Sequence, residues 1–298
     1  MEPAAHVRAE IASQPQCWER ALEVAQEAQP LLPAKGERVA AIGCGTSWFM
    51  AASYASLREE AGLGETDAFA GSEFPGDREY DRLVVITRSG TTTEILRLLD
   101  DYRGRTPTTA IIADPDTPAL ELADETIVLD FADEQSVVQT RFATTALSLL
   151  RAHLGENLEQ AIADARRTVF EPLNPRALTS RQFTFLGTGW TVGLATEGAL
   201  KMREASLSWT ESYPIMEYRH GPKSITDEQS TVWFLTAPED GLETEVEAMG
   251  GNVVLPNADP LAELIKIQRL AVDIGVGKGL NPDLPRNLSR SVILDADD

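Results

Sequence analysis

The fold class follows from a short run near the start of the chain, Arg38-Val39-Ala40-Ala41-Ile42-Gly43-Cys44-Gly45-Thr46-Ser47. Its first half is typical of a short buried strand, and its two glycines close a turn. An alanine-rich helix is predicted to follow, from Trp48 to about Glu60. A strand that ends in a glycine turn and opens a helix is the basic unit of a parallel α/β sheet.

Outward from this unit, predicted strands and helices continue to alternate. Strands are predicted at 82–87, 108–113 and 125–129, and helices at 94–102 and 140–154. This alternation predicts an α/β fold in which helices cover a parallel sheet.

The second half of the chain repeats the pattern. A predicted strand at 182–186 ends in another glycine turn, Gly187-Thr188-Gly189, which opens a long helix to about Trp209. This turn lies 144 residues after the first glycine turn, and Glu217 lies 144 residues after Glu73. The shared offset predicts an internal duplication, although a coincidence between two ordinary α/β stretches stays open.

The sequence therefore predicts two tandem α/β subdomains, each a parallel sheet flanked by helices, after an N-terminal helical segment at 1–34. The first subdomain is placed at 35–170 and the second at 176–298. Between them, two closely spaced prolines at 171–175 rule out a continuous helix and indicate a linker.

Composition narrows the possible partners. The 298 residues include 26 Lys and Arg against 47 Asp and Glu, a net charge of -21, which disfavours nucleic acid and anionic lipid. Cys17 and Cys44 suggest neither a disulfide framework nor a metal site, which suits a reducing compartment. Residues 1–6 lack the features of a signal peptide, and no apolar run reaches the length of a membrane span. We expect a cytoplasmic, soluble protein that needs no cofactor.

A hydroxyl-rich turn, Thr87-Arg88-Ser89-Gly90-Thr91-Thr92-Thr93, follows one predicted strand and opens a helix. Hydroxyls and backbone amides at a helix N-terminus can surround a phosphate without a basic cluster. The alternative is simple helix capping, for which one hydroxyl suffices. The corresponding turn of the second half, Thr236–Asp240, is acidic, so only the first subdomain is expected to bind phosphate.

The helix after Gly189 carries Glu197, Lys201 and Glu204 on one face, among residues that are mostly apolar. A carboxylate beside an amine on a buried helix is suited to proton transfer near neutral pH. A purely structural ion pair is the alternative.

His220 is the histidine with the most distinctive context, a loop that Gly221 and Pro222 constrain. Its position just after Glu217 leaves a catalytic and an incidental role equally open. No second histidine or cysteine pair accompanies it, so no metal site is predicted.

Five motifs stand in order along the chain: Gly43-Cys44-Gly45-Thr46-Ser47, Arg88-Ser89-Gly90-Thr91-Thr92, Glu197-Gly198-Ala199-Leu200-Lys201, Arg219-His220-Gly221-Pro222 and Pro285-Arg286-Asn287-Leu288-Ser289-Arg290-Ser291-Val292. Together they resemble the sugar isomerase (SIS) domain family, in particular the isomerase half of glucosamine-6-phosphate synthase and related amino-sugar-phosphate deaminase/isomerases. The resemblance implies two tandem SIS subdomains. It also implies a homodimer or higher oligomer in which each active site borrows residues from its partner.

The resemblance also implies roles for individual residues. The phosphate of the substrate would be held by Ser47, Thr87, Ser89 and Thr92, and by Arg88, which stands where the synthase has glutamine. Further contacts with the substrate are implied for Cys44, Gly45, Thr46, Glu197 and Arg290. Glu204 would shuttle a proton between C1 and C2 with Lys201 beside it, and His220 would open the sugar ring from the other subunit.

Two departures from the synthase point to the reverse reaction. Position 2 is Glu2, and the glutaminase domain with its N-terminal cysteine is not found in these residues. Arg290 stands where the synthase has an imine-forming lysine, and a guanidinium is a poor imine former. We therefore expect a hexosamine 6-phosphate to be converted to ketose 6-phosphate and ammonia. A fructosamine-type phosphate deglycase and a non-catalytic sugar-phosphate sensor remain the alternatives.

Overall fold

The computed structural model describes residues 2–238 and 240–294. Its strands are β1 Val39–Gly43, β2 Thr66–Ala70, β3 Arg82–Thr87, β4 Thr108–Ile112, β5 Glu125–Val128, β6 Gln182–Gly187, β7 Trp209–Pro214, β8 Ser230–Phe234 and β9 Asn252–Val254. Its α-helices are α1 Ala5–Ala12, α2 Gln14–Glu27, α3 Thr46–Glu60, α4 Thr93–Tyr102, α5 Ala119–Leu122, α6 Arg141–His153, α7 Glu159–Thr168, α8 Thr191–Ser206, α9 Leu242–Ala248 and α10 Pro260–Gly277. In the part of the chain that the structure describes, no helix is both long and apolar enough to cross a bilayer.

The strands form two parallel sheets with matching strand orders. The first sheet runs β2-β1-β3-β4-β5 and the second β7-β6-β8-β9, and every strand pairing in both is parallel. Helices flank both sheets, which confirms the predicted α/β class with parallel sheets. The common order is the one that a duplicated unit would have, and the duplication itself stays a prediction.

The two edge strands β2 and β7 were not predicted from the sequence. Most of their residues are partly exposed, and β7 includes Glu211, so neither has the apolar run of a central strand. Helix α8 ends at Ser206, three residues before the predicted end, and Trp209 instead begins β7.

The central strands and their helices build the core of each sheet. Strand β1 is buried throughout, α3 packs on the first sheet, and α6 packs on α3. In the second sheet, α8 lies between β6 and α10. A Cβ on Gly198 would lie 3.2 Å from Ile267 Cγ2, so this glycine allows α8 and α10 to approach closely.

The described residues divide into two compact units whose boundaries differ from those expected. Residues 16–134, 141–158 and 288–294 form the unit of the first sheet. Residues 2–15, 135–140 and 159–287 form the unit of the second sheet. The C-terminal residues 288–294 belong to the unit of the first sheet, although they follow the second sheet in the chain. Helices α1 and α7 belong to the unit of the second sheet, although they precede it.

Hydrogen bonds account for the placement of α1 and α7. The amides of His6 and Val7 donate to the Asp283 carboxylate, at 3.1 and 2.8 Å. The Arg269 guanidinium of α10 donates to the Thr168 carbonyl at the end of α7, at 2.6 Å. The region predicted as a linker, 171–175, therefore lies inside the second unit.

Candidate active site

The hydroxyl-rich turn leaves the C-terminal end of β3 and opens α4. Thr87, Arg88 and Ser89 are all buried. The backbone of Gly90 has a φ of +60°, and a Cβ there would lie 2.3 Å from the Thr117 hydroxyl, so only glycine fits this position. The turn is consequently rigid and brings its hydroxyls together at the carboxyl edge of the sheet, where ligands of open α/β sheets bind.

Three hydroxyls of the turn converge on a residue from the far end of the chain. The Ser291 hydroxyl lies 3.1 Å from that of Ser89, 2.9 Å from that of Thr91 and 3.3 Å from that of Thr92. Helix α4 has no side-chain cap at Thr92, whereas the Ser89 hydroxyl accepts a hydrogen bond from the Thr91 amide at 3.3 Å. Anion binding by this turn stays a prediction.

Arg88 forms a buried ion pair inside the turn. Its guanidinium lies 3.4 Å from a carboxylate oxygen of Glu134, and both side chains are almost fully buried. It also donates to the Arg290 carbonyl, at 3.0 Å. Because the Glu134 carboxylate compensates this charge, Arg88 adds little positive potential to the turn.

Arg290 is likewise committed to partners in the first unit. Its guanidinium contacts the Asp133 carboxylate and donates to the Glu134 carbonyl, at 2.7 Å. The hydrogen bond that Arg290 donates to the Asp133 carboxylate raises the pKa of Arg290 above its ordinary value. The side chain therefore remains a protonated guanidinium and offers no free amine for imine formation.

The first glycine turn places three further candidates at the start of α3. Thr46 and Ser47 are buried, while Cys44 is half-buried. Burial raises the pKa of the Cys44 thiol, the nearby Glu94 carboxylate adds to the rise, and a hydrogen bond with the Gly71 backbone opposes both. Gly45 has a φ of +55°, which favours glycine. The thiol consequently has a smaller thiolate fraction at neutral pH than a free cysteine, and so it is a weaker nucleophile.

Helix α8 carries the candidate base. Lys201 is buried, contacts the Glu204 carboxylate and lies 3.5 Å from a carboxylate oxygen of Glu197. Glu197 is fully buried, whereas 19% of the Glu204 side chain remains exposed. The arrangement fixes an ammonium in the interior and presents one carboxylate at the surface.

A small cavity adjoins Glu204. Its volume is about 20 Å³, and its lining includes Asn281 and Arg286 from the segment that follows α10. This is room for about one water molecule beside a carboxylate and an arginine. Glu204 thus borders a small cavity of its own unit, and the rest of the lining is apolar, with Leu207, Leu280 and Leu284 among it.

His220 lies in an exposed loop between two 3₁₀ turns, Met216–Arg219 and Pro222–Ile225. Glu245 of α9 forms ion pairs with one residue on each side of His220, with Arg219 at 3.0 Å and with Lys223 at 2.7 Å. Hydrogen bonds from Lys223 and then Arg219 hold the pKa of Glu245 below its ordinary value. These two ion pairs hold the loop in place, and His220 within it is exposed.

The predicted site residues fall into the two compact units. The phosphate candidates and Arg290 lie in the first unit, and Lys201, Glu204, Glu197 and His220 lie in the second. The sequence did not predict Asp133 and Glu134 as site residues, because they lie in no recognisable motif. Ser291 was not predicted individually either, although it belongs to the C-terminal motif of the family. Of the acidic turn predicted at Thr236–Asp240, Glu239 lies outside the described residues.

No family model matches the chain. A glutamine–fructose-6-phosphate aminotransferase (isomerizing) of Caulobacter vibrioides is 26% identical over 318 residues, covering 87% of this chain. The chain spans about half the length of the curated relatives it matches, 52% in this case.

Solved structures share the fold over almost the whole chain. Glucosamine-6-phosphate deaminase from Thermotoga maritima has a TM-score of 0.82 at 23% identity, covering 96% of this chain and 99% of its own. The C-terminal domain of glucosamine-fructose-6-phosphate aminotransferase from Francisella tularensis has a TM-score of 0.76 at 20% identity, covering 94% and 98%. Tagatose-6-phosphate ketose/aldose isomerase from Escherichia coli has a TM-score of 0.75 at 18% identity, covering 98% of each. The resemblance to the isomerase (SIS) domains of the glucosamine-6-phosphate synthase type, predicted from five motifs, is thereby confirmed.

Proposed function

We propose that this chain is an amino-sugar-phosphate deaminase/isomerase, which converts a hexosamine 6-phosphate to a ketose 6-phosphate and ammonia. The observation that carries the proposal is the pair on α8, where a buried Lys201 ammonium holds the partly exposed Glu204 carboxylate. A fixed carboxylate that stays accessible is what a general base needs.

The phosphate group would be bound by the hydroxyl-rich turn, which begins at Thr87, with Ser47 as a further donor. Hydroxyl donors suit a dianion in a protein whose net charge is -21, because charged side chains supply little positive potential. Arg88 contributes less, since Glu134 compensates its charge.

The proton transfer would run between C2 and C1 of the open-chain sugar, after His220 has assisted ring opening. The Glu204 carboxylate takes the C2 proton, and the electrons of that C–H bond form the C1–C2 double bond of an enolamine. The π electrons of the C1 carbonyl move to its oxygen, which takes a proton from water and becomes a hydroxyl. Protonation at C1 by the Glu204 carboxylic acid gives the C2 imine. Water then adds to C2, and the C–N bond breaks to release ammonia and leave the C2 ketone.

The direction of the reaction rests on Arg290. Its guanidinium is engaged by Asp133 and Glu134 and does not offer an amine to a ketose. The fold likeness to a glucosamine-6-phosphate deaminase agrees with this direction. An aldose–ketose isomerase would use the same base on a C2 hydroxyl, and a deglycase would use it on a substituted amine.

The test measures ammonia release from glucosamine 6-phosphate, galactosamine 6-phosphate and unphosphorylated glucosamine. We expect release from at least one phosphate ester and not from glucosamine. Interconversion of hexose phosphates without ammonia would support an isomerase instead. Release of a larger amine from a fructosamine 6-phosphate, with none of ammonia, would support the deglycase. Binding of the sugar phosphate without any turnover would support a non-catalytic sugar-phosphate sensor.

A further inference from the structure

The C-terminal residues 288–294, called here the tail segment, run along the N-terminus of α4. The Thr93 amide, at the first position of α4, donates to the Val292 carbonyl at 3.1 Å. The Leu294 amide donates to the Thr93 hydroxyl at 2.8 Å. These two hydrogen bonds set the register of the tail segment and place Ser291 against the hydroxyl-rich turn.

The Ser291 hydroxyl completes a triangle with two hydroxyls of that turn. It lies 3.1 Å from the Ser89 hydroxyl and 2.9 Å from that of Thr91, and these two lie 3.0 Å from each other. A phosphate oxygen placed over the face of such a triangle reaches all three groups, and an anionic oxygen accepts several hydrogen bonds at once. The tail segment thus supplies one of three hydroxyls that lie within hydrogen-bond distance of one another.

Two arginines hold the tail segment in this place. Arg88 pairs with the Glu134 carboxylate and donates to the Arg290 carbonyl, at 3.0 Å. Arg290 in turn pairs with Asp133 and donates to the Glu134 carbonyl, at 2.7 Å. Both are positions at which this chain departs from the residues that the synthase resemblance implies. The two departures are connected, because Arg88 donates to the backbone of Arg290 and Arg290 donates to the backbone of Glu134, the ion-pair partner of Arg88.

We propose that the tail segment is a wall of the phosphate site, in which Ser291 donates its hydroxyl to the phosphate group of the substrate. Arg88 and Arg290 are positioning residues that keep Ser291 over the hydroxyl-rich turn. The inference rests on the proposed function in that it takes a phosphate monoester as the ligand. It goes further because it names Ser291 of the tail segment as a phosphate-binding residue and gives Arg290 the role of positioning it.

The test titrates the full chain with inorganic phosphate and with glucosamine 6-phosphate in a calorimeter. Ser291→Ala should weaken binding of both by roughly 10- to 100-fold, the usual effect of losing a hydrogen bond to a charged group. Ser291→Thr keeps the hydroxyl and should bind nearly as the unaltered protein does. Ser56→Ala removes an exposed hydroxyl on α3 that donates to the Glu60 carboxylate, and it serves as the matched control. Unfolding temperatures of all variants separate lost binding from lost stability.

Arg290 is tested by kinetics. Arg290→Gln should raise KM for the phosphorylated substrate and leave kcat nearly unchanged, because the guanidinium contacts no reacting atom. Arg290→Lys should recover part of the lost affinity, since an ammonium can still reach Asp133. A fall in kcat with KM unchanged would show that Arg290 acts in the chemistry and would overturn its positioning role.

The outcomes distinguish this inference from the proposed reaction. Unchanged or tighter phosphate binding by Ser291→Ala, with ammonia release intact, overturns the role of the tail segment alone. Weakened binding in that variant, with no ammonia release by the unaltered protein, supports the tail segment and overturns the proposed reaction. Absence of phosphate binding by the unaltered protein overturns both.

Discussion

Glu204 is the residue on which the proposed proton transfer depends. Glu204→Gln keeps the shape and polarity of the side chain but removes the proton acceptor. We expect kcat to fall by roughly 10²–10⁴-fold, while the Kd for the sugar phosphate changes little. Exchange of the C2 hydrogen with solvent deuterium, followed by NMR, should stop as well.

A matched control for this substitution is Glu247→Gln, which neutralises an exposed carboxylate on α9. It should leave turnover and exchange unchanged. If Glu204→Gln retained both activities, the base would be another residue.

Cys44 illustrates how burial decides the chemistry of a single side chain. Because burial raises the pKa of its thiol, the thiolate fraction at neutral pH is lower than that of a free cysteine, whose pKa is about 8.5. We expect alkylation of Cys44 by iodoacetamide at pH 7.5 to be slower than that of free cysteine. The rate should keep rising with pH after the rate for free cysteine has levelled off.

Mass spectrometry of tryptic peptides separates Cys44 from the buried Cys17. Cys44→Ser should abolish the slow, pH-dependent modification and leave any reaction of Cys17 as it was. Rapid alkylation of Cys44 at pH 7 would contradict a raised pKa.

At the scale of the element, the two strand–turn–helix junctions depend on glycine in the same way. A Cβ on Gly43 would lie 2.4 Å from the Ser47 carbonyl carbon, and one on Gly187 would lie 2.4 Å from the Thr191 carbonyl oxygen. Both neighbours are backbone in the first turn of a helix, so neither can move without shifting that helix.

Gly43→Ala and Gly187→Ala should therefore each lower the free energy of unfolding by about 1–3 kcal/mol, the usual cost of overpacking. Urea denaturation followed by circular dichroism measures the change. Gly277→Ala is the control, because no atom lies within 4 Å of a Cβ at that position. If the free energies of unfolding of Gly43→Ala and Gly187→Ala equalled that of the control, the backbone at these junctions would be able to shift and accommodate a Cβ atom.

At the scale of the whole molecule, the resemblance predicts that active sites are shared between subunits. His220 lies in an exposed loop braced by Glu245, a placement suited to reaching another chain. A mixture of inactive Glu204→Gln and inactive His220→Ala proteins should then regain activity, because one site of each mixed dimer has both residues intact. For random exchange in a two-fold dimer we expect about a quarter of the unaltered activity.

The measurement is ammonia release after the two variants have been incubated together, with each variant alone as the control. Sedimentation velocity gives the oligomeric state of the same samples. A fully active monomer, or no recovery after proven subunit exchange, would contradict shared sites.

The sequence by itself determined the α/β class, most of the central strands and the resemblance to SIS domains. These features are local: a buried strand, a glycine turn and a helix start each leave a pattern within a few residues. The same locality allowed the pairing of Glu204 with Lys201 to be predicted, because residues three apart on a helix lie on one face. The edge strands escaped prediction because their partly exposed residues lack an apolar run.

Only the tertiary structure decided what surrounds the phosphate candidates and where the compact units divide. Ser291 is 202 residues from Ser89 in the chain, and Arg290 is 157 residues from Asp133. No local pattern encodes such contacts, because they exist only once the C-terminal residues have returned to the first sheet. Arg88 carries a full charge in the sequence, whereas folding buries it against Glu134 and leaves the hydroxyls of the turn as the principal donors for an anion.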